Sequence, residues 1–254
     1  KGIITEQRLE EALTRILGLK ASLGLHAKAK TEILQPKEVA MAKMRTEKNM
    51  AIAPEISDKA ITLVKNNQEL LPITPEKHKR VLLVEVKGPE SAYGKLMAAM
   101  SAGKKKPIEL MKELLEKAGF EVEIYESPID KMLKLPPQEL LGAIMNVYAQ
   151  KRPISDLTNN YDLIINVADV PPTTDQRIQW APLKGTPDIP FYVNEVPTIF
   201  ISLQCPFHLA DVPQVKTYIN AYDNHEHTLS AIVDKLVGRS EFKGVSPVDA
   251  FCGF

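Results

Sequence analysis

The residues best suited to chemistry cluster between positions 169 and 190, where Asp175, Arg177, Trp180 and Lys184 share one proline-containing stretch with Pro171-Pro172. Beside that carboxylate and guanidinium, the chain's one tryptophan can stack on a sugar face or on another domain, the alternative being simple loop packing. Asp175, Arg177 and Trp180 are therefore the candidate substrate-binding residues, and Asp175 and Glu195 the candidate carboxylates for proton transfer. Hydrolysis of a glycosidic bond uses two carboxyl groups flanking that bond, so neither carboxylate suffices by itself.

Other chemistries find less support. His225-Glu226-His227 has ligand-type residues, but on a helix two histidines two apart point to different faces, and a solvated first turn is expected rather than a metal site. Lys104-Lys105-Lys106 precedes a helical pattern and reads as a solvated charge run. Cys205 and Cys252 follow no C-x-x-C or zinc spacing, and both are expected to be buried apolar residues. Neither G-x-x-x-x-G-K-[ST] nor G-x-G-x-x-G occurs, which removes the commonest reason for nucleotide binding. A G-x-S-x-G nucleophile elbow is also missing. No metal and no cofactor is expected.

The elements that must position these residues are legible from periodicity. Positions 81–86 (VLLVEV), 121–125, 161–167, 198–203 and 216–221 read as strands, and they alternate with helical patterns at about 107–117 and 137–150 and a last helix from Asp223 to Gly238. Asp223 followed by Glu226 forms the sequence pattern of a capping box. Strands alternating with helices predict a mainly parallel, doubly wound sheet in a three-layer α/β/α sandwich, preceded by a helical linker. Ligands of such sheets sit beyond the carboxyl ends of the strands. The loops at 87–106, 126–136, 169–190 and 204–213 are the candidates, the third being the longest.

Upstream, Thr5 can cap a helix with Leu9, Ala12, Leu13, Ile16 and Leu23 on or beside one stripe, closed by Gly24. The basic stretch after it offers that stripe few anchors. A second helical region is expected from Pro36 to about Val64, broken before Pro54. The phrase KAITLVKNNQELLPI then loses helical periodicity at Lys65-Asn66-Asn67 and gathers Leu70, Leu71 and Ile73 just before the sheet region, where they should pin the chain to it.

Composition bounds the partners. The 254 residues carry 32 acidic and 32 basic side chains, a balance that gives no reason to expect nucleic acid or an anionic membrane. No apolar run approaches the ~20 residues of a membrane span. Without an initiator Met at position 1, a fragment or processed product is expected.

Three phrases in order, ITEQRLEEALTRILGLKASLGL, ISDKAITLVKNNQELLPI and RVLLVEV, resemble the junction between barrel and sandwich domains in glycoside hydrolase family 3. PTIFISLQCPFHLADVPQVKTYINAY and FKGVSPVDAF resemble later parts of that second domain. The resemblance implies the following division: the last helix of a catalytic barrel at 1–25, a helical linker at 26–75, and the C-terminal sandwich at 76–254. It implies a barrel of the same polypeptide as partner and a carbohydrate as substrate. The family's nucleophilic aspartate and its K-H-F-P-G-H-G type phrase lie on the barrel, and neither occurs here, so this chain alone is expected to be inactive. In β-glucosidase members the second domain supplies the acid/base glutamate from a loop corresponding roughly to 169–184. No Glu occurs in that interval, which leaves Asp175 as the substitute under a β-glucosidase reading. The β-N-acetylhexosaminidase branch places a His-Asp acid/base pair on the barrel, and the missing Glu favours that branch. A stand-alone, non-enzymatic binding or scaffold module is the remaining alternative, and it predicts that the chain itself buries the stripe of the first helix.

Overall fold

A computed structural model describes residues 3–44, 46–86, 88, 105–170, 178, 183 and 185–253. The chain divides into two compact units, Lys1–Ile52 and Ala53–Phe254.

In the first unit, α1 (Glu6–Ser22) begins as expected: the Thr5 hydroxyl accepts the Arg8 N–H at 3.2 Å. Gly24 follows at φ 67°, the left-handed position that glycine takes at a helix end. No residue of α1 is buried, and Leu9, Ile16 and Leu17 are more than half exposed. Short helices α2 (Lys30–Ile33) and α3 (Lys37–Lys43) come next. Helix α4 (Glu47–Ala60) keeps Pro54 in its interior rather than in its first turn.

The second helical region therefore does not reach Val64. Residues Thr62–Asn66 form strand β1, antiparallel to β6 (Thr217–Asn220), so the span expected to be a helical linker contains an edge strand of the sheet. The β-branched pair Thr62 and Val64 suits a strand, and the ladder with β6 overrides the local helical periodicity. The other strands are β2 (Arg80–Val86), β3 (Glu121–Ile124), β4 (Leu163–Ala168) and β5 (Thr198–Ser202). The sheet order is β1-β6-β5-β4-β2-β3, and every neighbouring pair except β1–β6 is parallel. A mixed α/β sandwich results, as the alternation of patterns predicts.

Both faces of the sheet are covered, which explains why its strands read as continuous apolar runs rather than alternating ones. On one face Val81, Leu83, Ile165, Ile199 and Ile219 pack with Met111 and Leu115 of α5 (Pro107–Lys117) and with Leu229 and Ile232 of the last helix (Glu226–Leu236). On the other, Leu82, Val84 and Ile164 meet Leu157, Tyr192 and Val196, while Phe200 and Tyr218 meet Leu209 and Val212. Between these elements lie α6 (Pro128–Leu133), α7 (Pro137–Ala149) and α8 (Ser155–Thr158). The last helix is accordingly α9.

The LLPI stretch anchors this core. Ile73 is 1% exposed, Leu70 and Leu71 pack against the same cluster, and the Ile73 N–H donates to the Leu236 carbonyl at 2.8 Å. Gln68 Nε2 donates to the Thr198 carbonyl and to Thr217 Oγ1, each at 2.8 Å, tying the turn after β1 to two further strands.

Candidate functional site at the carboxyl edge of the sheet

In this strand order the connections diverge between β2 and β4, so the crevice for a ligand opens past Val86 and Ala168. Gly88 and Val170 approach closely there: a Cβ on Gly88 would come within 2.7 Å of Val170 Cγ1. The segments leaving this point, 89–104 and 171–177, lie outside the described residues, as do 179–182 and Lys184. Asp175, Arg177 and Trp180 are thus outside the described residues, as is Lys104 of the lysine run.

What is described is the base on which those loops stand. Asp169, the first residue after β4, accepts from Gln204 Nε2 at 2.6 Å and from Asn224 Nδ2 at 3.0 Å. One carboxylate so joins the loops that follow β4, β5 and β6. Beside it Asp223 accepts from the Thr228 hydroxyl at 2.6 Å and meets His225 Nδ1 at 2.6 Å, and Thr228 Oγ1 lies 2.9 Å from Ser57 Oγ of α4. Burial would raise the Asp223 pKa, but the Thr228 hydroxyl and the His225 ring and N–H outweigh it and hold the carboxyl below its ordinary value. Asp223 is then anionic at neutral pH, and the His225 side chain, 72% exposed, turns its other ring nitrogen away from this contact.

The capping expectation shifts accordingly. Helix α9 begins at Glu226 with His225 as its N-cap residue, and Asp223 binds Thr228 and His225 instead of capping through Glu226. The rings of His225 and His227 stack with centroids 5.7 Å apart beside Asp223. Among the described residues no group of three or more His, Cys, Asp or Glu side chains is arranged to hold a metal ion.

A second polar pair looks like a nucleophile and its base but is built differently. Ser202 Oγ lies 2.7 Å from His208 Nδ1, yet it donates its own proton to the Cys205 carbonyl, so the histidine ring must donate to it. Both residues are 1% exposed, and the pair serves to fold the β5 turn. Burial raises the Cys205 thiol pKa, leaving it a poor nucleophile.

Two expectations are corrected here. Glu195 is exposed in the turn preceding β5, at the amino edge of the sheet and away from the crevice. Cys252 is exposed in the C-terminal turn at φ 55°, rather than buried. Lys105 and Lys106 are exposed, as expected of a solvated charge run, and lie near Glu113 (2.5 Å) and Glu85 (3.9 Å) respectively. The residues that sequence reasoning missed are Asn224, Gln204 and Asp169. Their one signal is position: each stands within four residues of a strand's carboxyl end.

No family model matches the chain. A curated relative from Cellulomonas fimi, named beta-N-acetylglucosaminidase/beta-glucosidase, is 36% identical over 255 residues, covering 99% of this chain and 40% of its own length. A solved structure of a beta-glucoside phosphorylase, BglX, is 37% identical with a TM-score of 0.69, and this chain covers 40% of it. These two matches support the resemblance to the C-terminal part of glycoside hydrolase family 3. A solved family 3 beta-N-acetylglucosaminidase from Paenibacillus, 21% identical over 98% of this chain and 40% of its own, shares the fold with a TM-score of 0.50. The chain thus spans about 40% of the length of each of these relatives.

Proposed function

We propose that this chain is the C-terminal, non-nucleophile part of a retaining glycoside hydrolase acting on β-N-acetylglucosaminides. The observation that carries this reading is end-to-end similarity to two fifths of a relative whose name includes that activity. Residues 1–25 are the last helix of a catalytic barrel, which fits the exposed apolar stripe of α1. The sandwich packs on that barrel and presents the carboxyl edge of its sheet to the sugar. In this arrangement the barrel supplies the nucleophile and the acid/base pair, and the Asp169–Gln204–Asn224 junction holds the root of the 171–184 loop. Asp175, Arg177 and Trp180 on that loop then line one side of the sugar site.

The same relative's name includes beta-glucosidase, and BglX is a beta-glucoside phosphorylase, so a β-glucoside substrate is the second reading. There Asp175 replaces the usual acid/base glutamate. The full reading frame that encodes this chain, assayed on 4-nitrophenyl N-acetyl-β-glucosaminide and 4-nitrophenyl β-glucoside, separates the two. Higher kcat/KM on the acetamido sugar, with an Asp175→Asn variant keeping its pH profile, is expected. Preference for the glucoside together with a lost acid/base limb in Asp175→Asn supports the second reading.

A further inference from the structure

Beside edge strand β3, on the sheet face that carries Leu82 and Leu157, lies a cleft of about 350 Å³. That volume is at the lower end of the range for small-ligand pockets. Its lining combines the side chains of Tyr125 and Tyr161 with Pro153 and Pro187, and adds planar polar groups from Arg152 and Asp156. Charge nearly cancels, because Arg152 and Lys131 face Glu123, Glu126 and Asp156 around the same space, with Lys131 and Glu126 4.0 Å apart. A balanced lining of this kind does not select an anion or a cation. Rings and prolines beside planar hydrogen-bonding groups suit a ligand with one apolar face and several hydroxyls.

The cleft is also shaped in advance. Gly185, at φ 75°, lies so close to Arg152 that an added Cβ would be 3.0 Å from the Arg152 carbonyl oxygen, which brings segment 185–187 against Arg152. The Arg152 guanidinium is fixed by donating to the Val147 carbonyl at 2.7 Å and to Gln150. Tyr161 is fixed by its 2.7 Å bond to Glu123. Tyr125 turns its hydroxyl inward, where it is buried and faces the Asp188 carboxyl and Ser127, so this ring presents its apolar surface rather than its hydroxyl to the cleft.

We propose that this cleft binds one neutral pyranose unit, with its C–H face against the tyrosines and prolines and its hydroxyls toward Arg152 and Asp156. The inference stands on the chemistry of the cleft and holds whichever reaction the parent enzyme performs. The test is an amide ¹H–¹⁵N NMR titration of this 254-residue chain with methyl β-glucoside, N-acetylglucosamine, glucose 6-phosphate and glycerol. Saturable shifts confined to residues 123–126, 152–161 and 185–188 are expected for at least one neutral pyranose, with a Kd of about 1–10 mM, the range for a ligand of that size. Arg152→Ala and the exposed-site variant Asp156→Asn should each weaken binding by about threefold to tenfold, with the remaining spectrum unchanged. Three results overturn the proposal: no saturable shift with either neutral pyranose up to about 50 mM, shifts mapping to another surface, or equal response to glycerol. Tighter binding of glucose 6-phosphate than of both neutral sugars also overturns it, by making the site one for anions.

Discussion

Lys235 shows how a single side chain joins distant parts of the second unit. Its side chain is fully buried, and the ammonium donates to Ser240 Oγ at 3.1 Å and the Glu241 carbonyl at 2.6 Å, with Asp58 Oδ1 at 2.9 Å. The Phe242 ring lies 5.7 Å away. Truncating this fully buried side chain opens a cavity and leaves the Glu241 carbonyl without its donor, so Lys235→Ala should cost roughly 3 kcal/mol. Lys235→Met keeps the volume and should cost only roughly 1–2 kcal/mol, and urea unfolding of the two variants measures the difference. Arg80 and Asp162 give a pH-dependent counterpart. Arg80 Nη2 donates to Asp162 Oδ1 at 2.7 Å, its N–H donates to Oδ2 at 2.8 Å, and the guanidinium contact holds the Asp162 carboxyl below its ordinary value of 3.8. A depressed carboxylate stabilises the fold above the unfolded pKa, and that stabilisation is lost as pH falls through the folded value. Asp162→Asn should therefore lose roughly 1 kcal/mol at pH 7 and show a flatter decline below pH 3.8 in acid titrations followed by circular dichroism.

At the scale of elements, the LLPI anchor carries a direct prediction. Ile73 is sealed under α9 and packs in the main cluster, so Ile73→Ala should destabilise by about 2–4 kcal/mol in urea unfolding. This element also marks how far local pattern reaches. The parallel strands were legible because burial on both faces makes runs such as VLLVEV and LIINVA apolar throughout. The anchor was legible because Leu70, Leu71 and Ile73 cluster where helical spacing fails. Strand β1 was not, since TLVKN continues the helical spacing of α4 and becomes a strand only by pairing with β6, more than 150 residues away. The N-terminus of α9 was misread for a related reason: Asp223 and Glu226 fit a capping box, but the Thr228 hydroxyl and His225 compete for Asp223. At the carboxyl edge, sequence indicated the loops but not the Asp169–Gln204–Asn224 junction, whose members are 55 residues apart at the extremes and meet only through the order of the strands.

For the whole molecule, the two units differ in how they use their apolar residues. The second buries its sheet on both faces, whereas α1 in the first has no buried residue despite its apolar stripe. Apolar helix faces of this kind mark surfaces that pack on another partner. Combined with similarity to 40% of the length of family 3 relatives, this supports a chain that works as one part of a larger glycosidase. Under the proposed function the chain contributes one wall of a sugar site whose nucleophile lies on the barrel. The most direct measurement is release of 4-nitrophenol from 4-nitrophenyl N-acetyl-β-glucosaminide by the purified 254-residue chain, beside the protein encoded by the full reading frame. The account predicts turnover by the latter and a rate no higher than buffer for the chain alone. Robust turnover by the chain alone would contradict it.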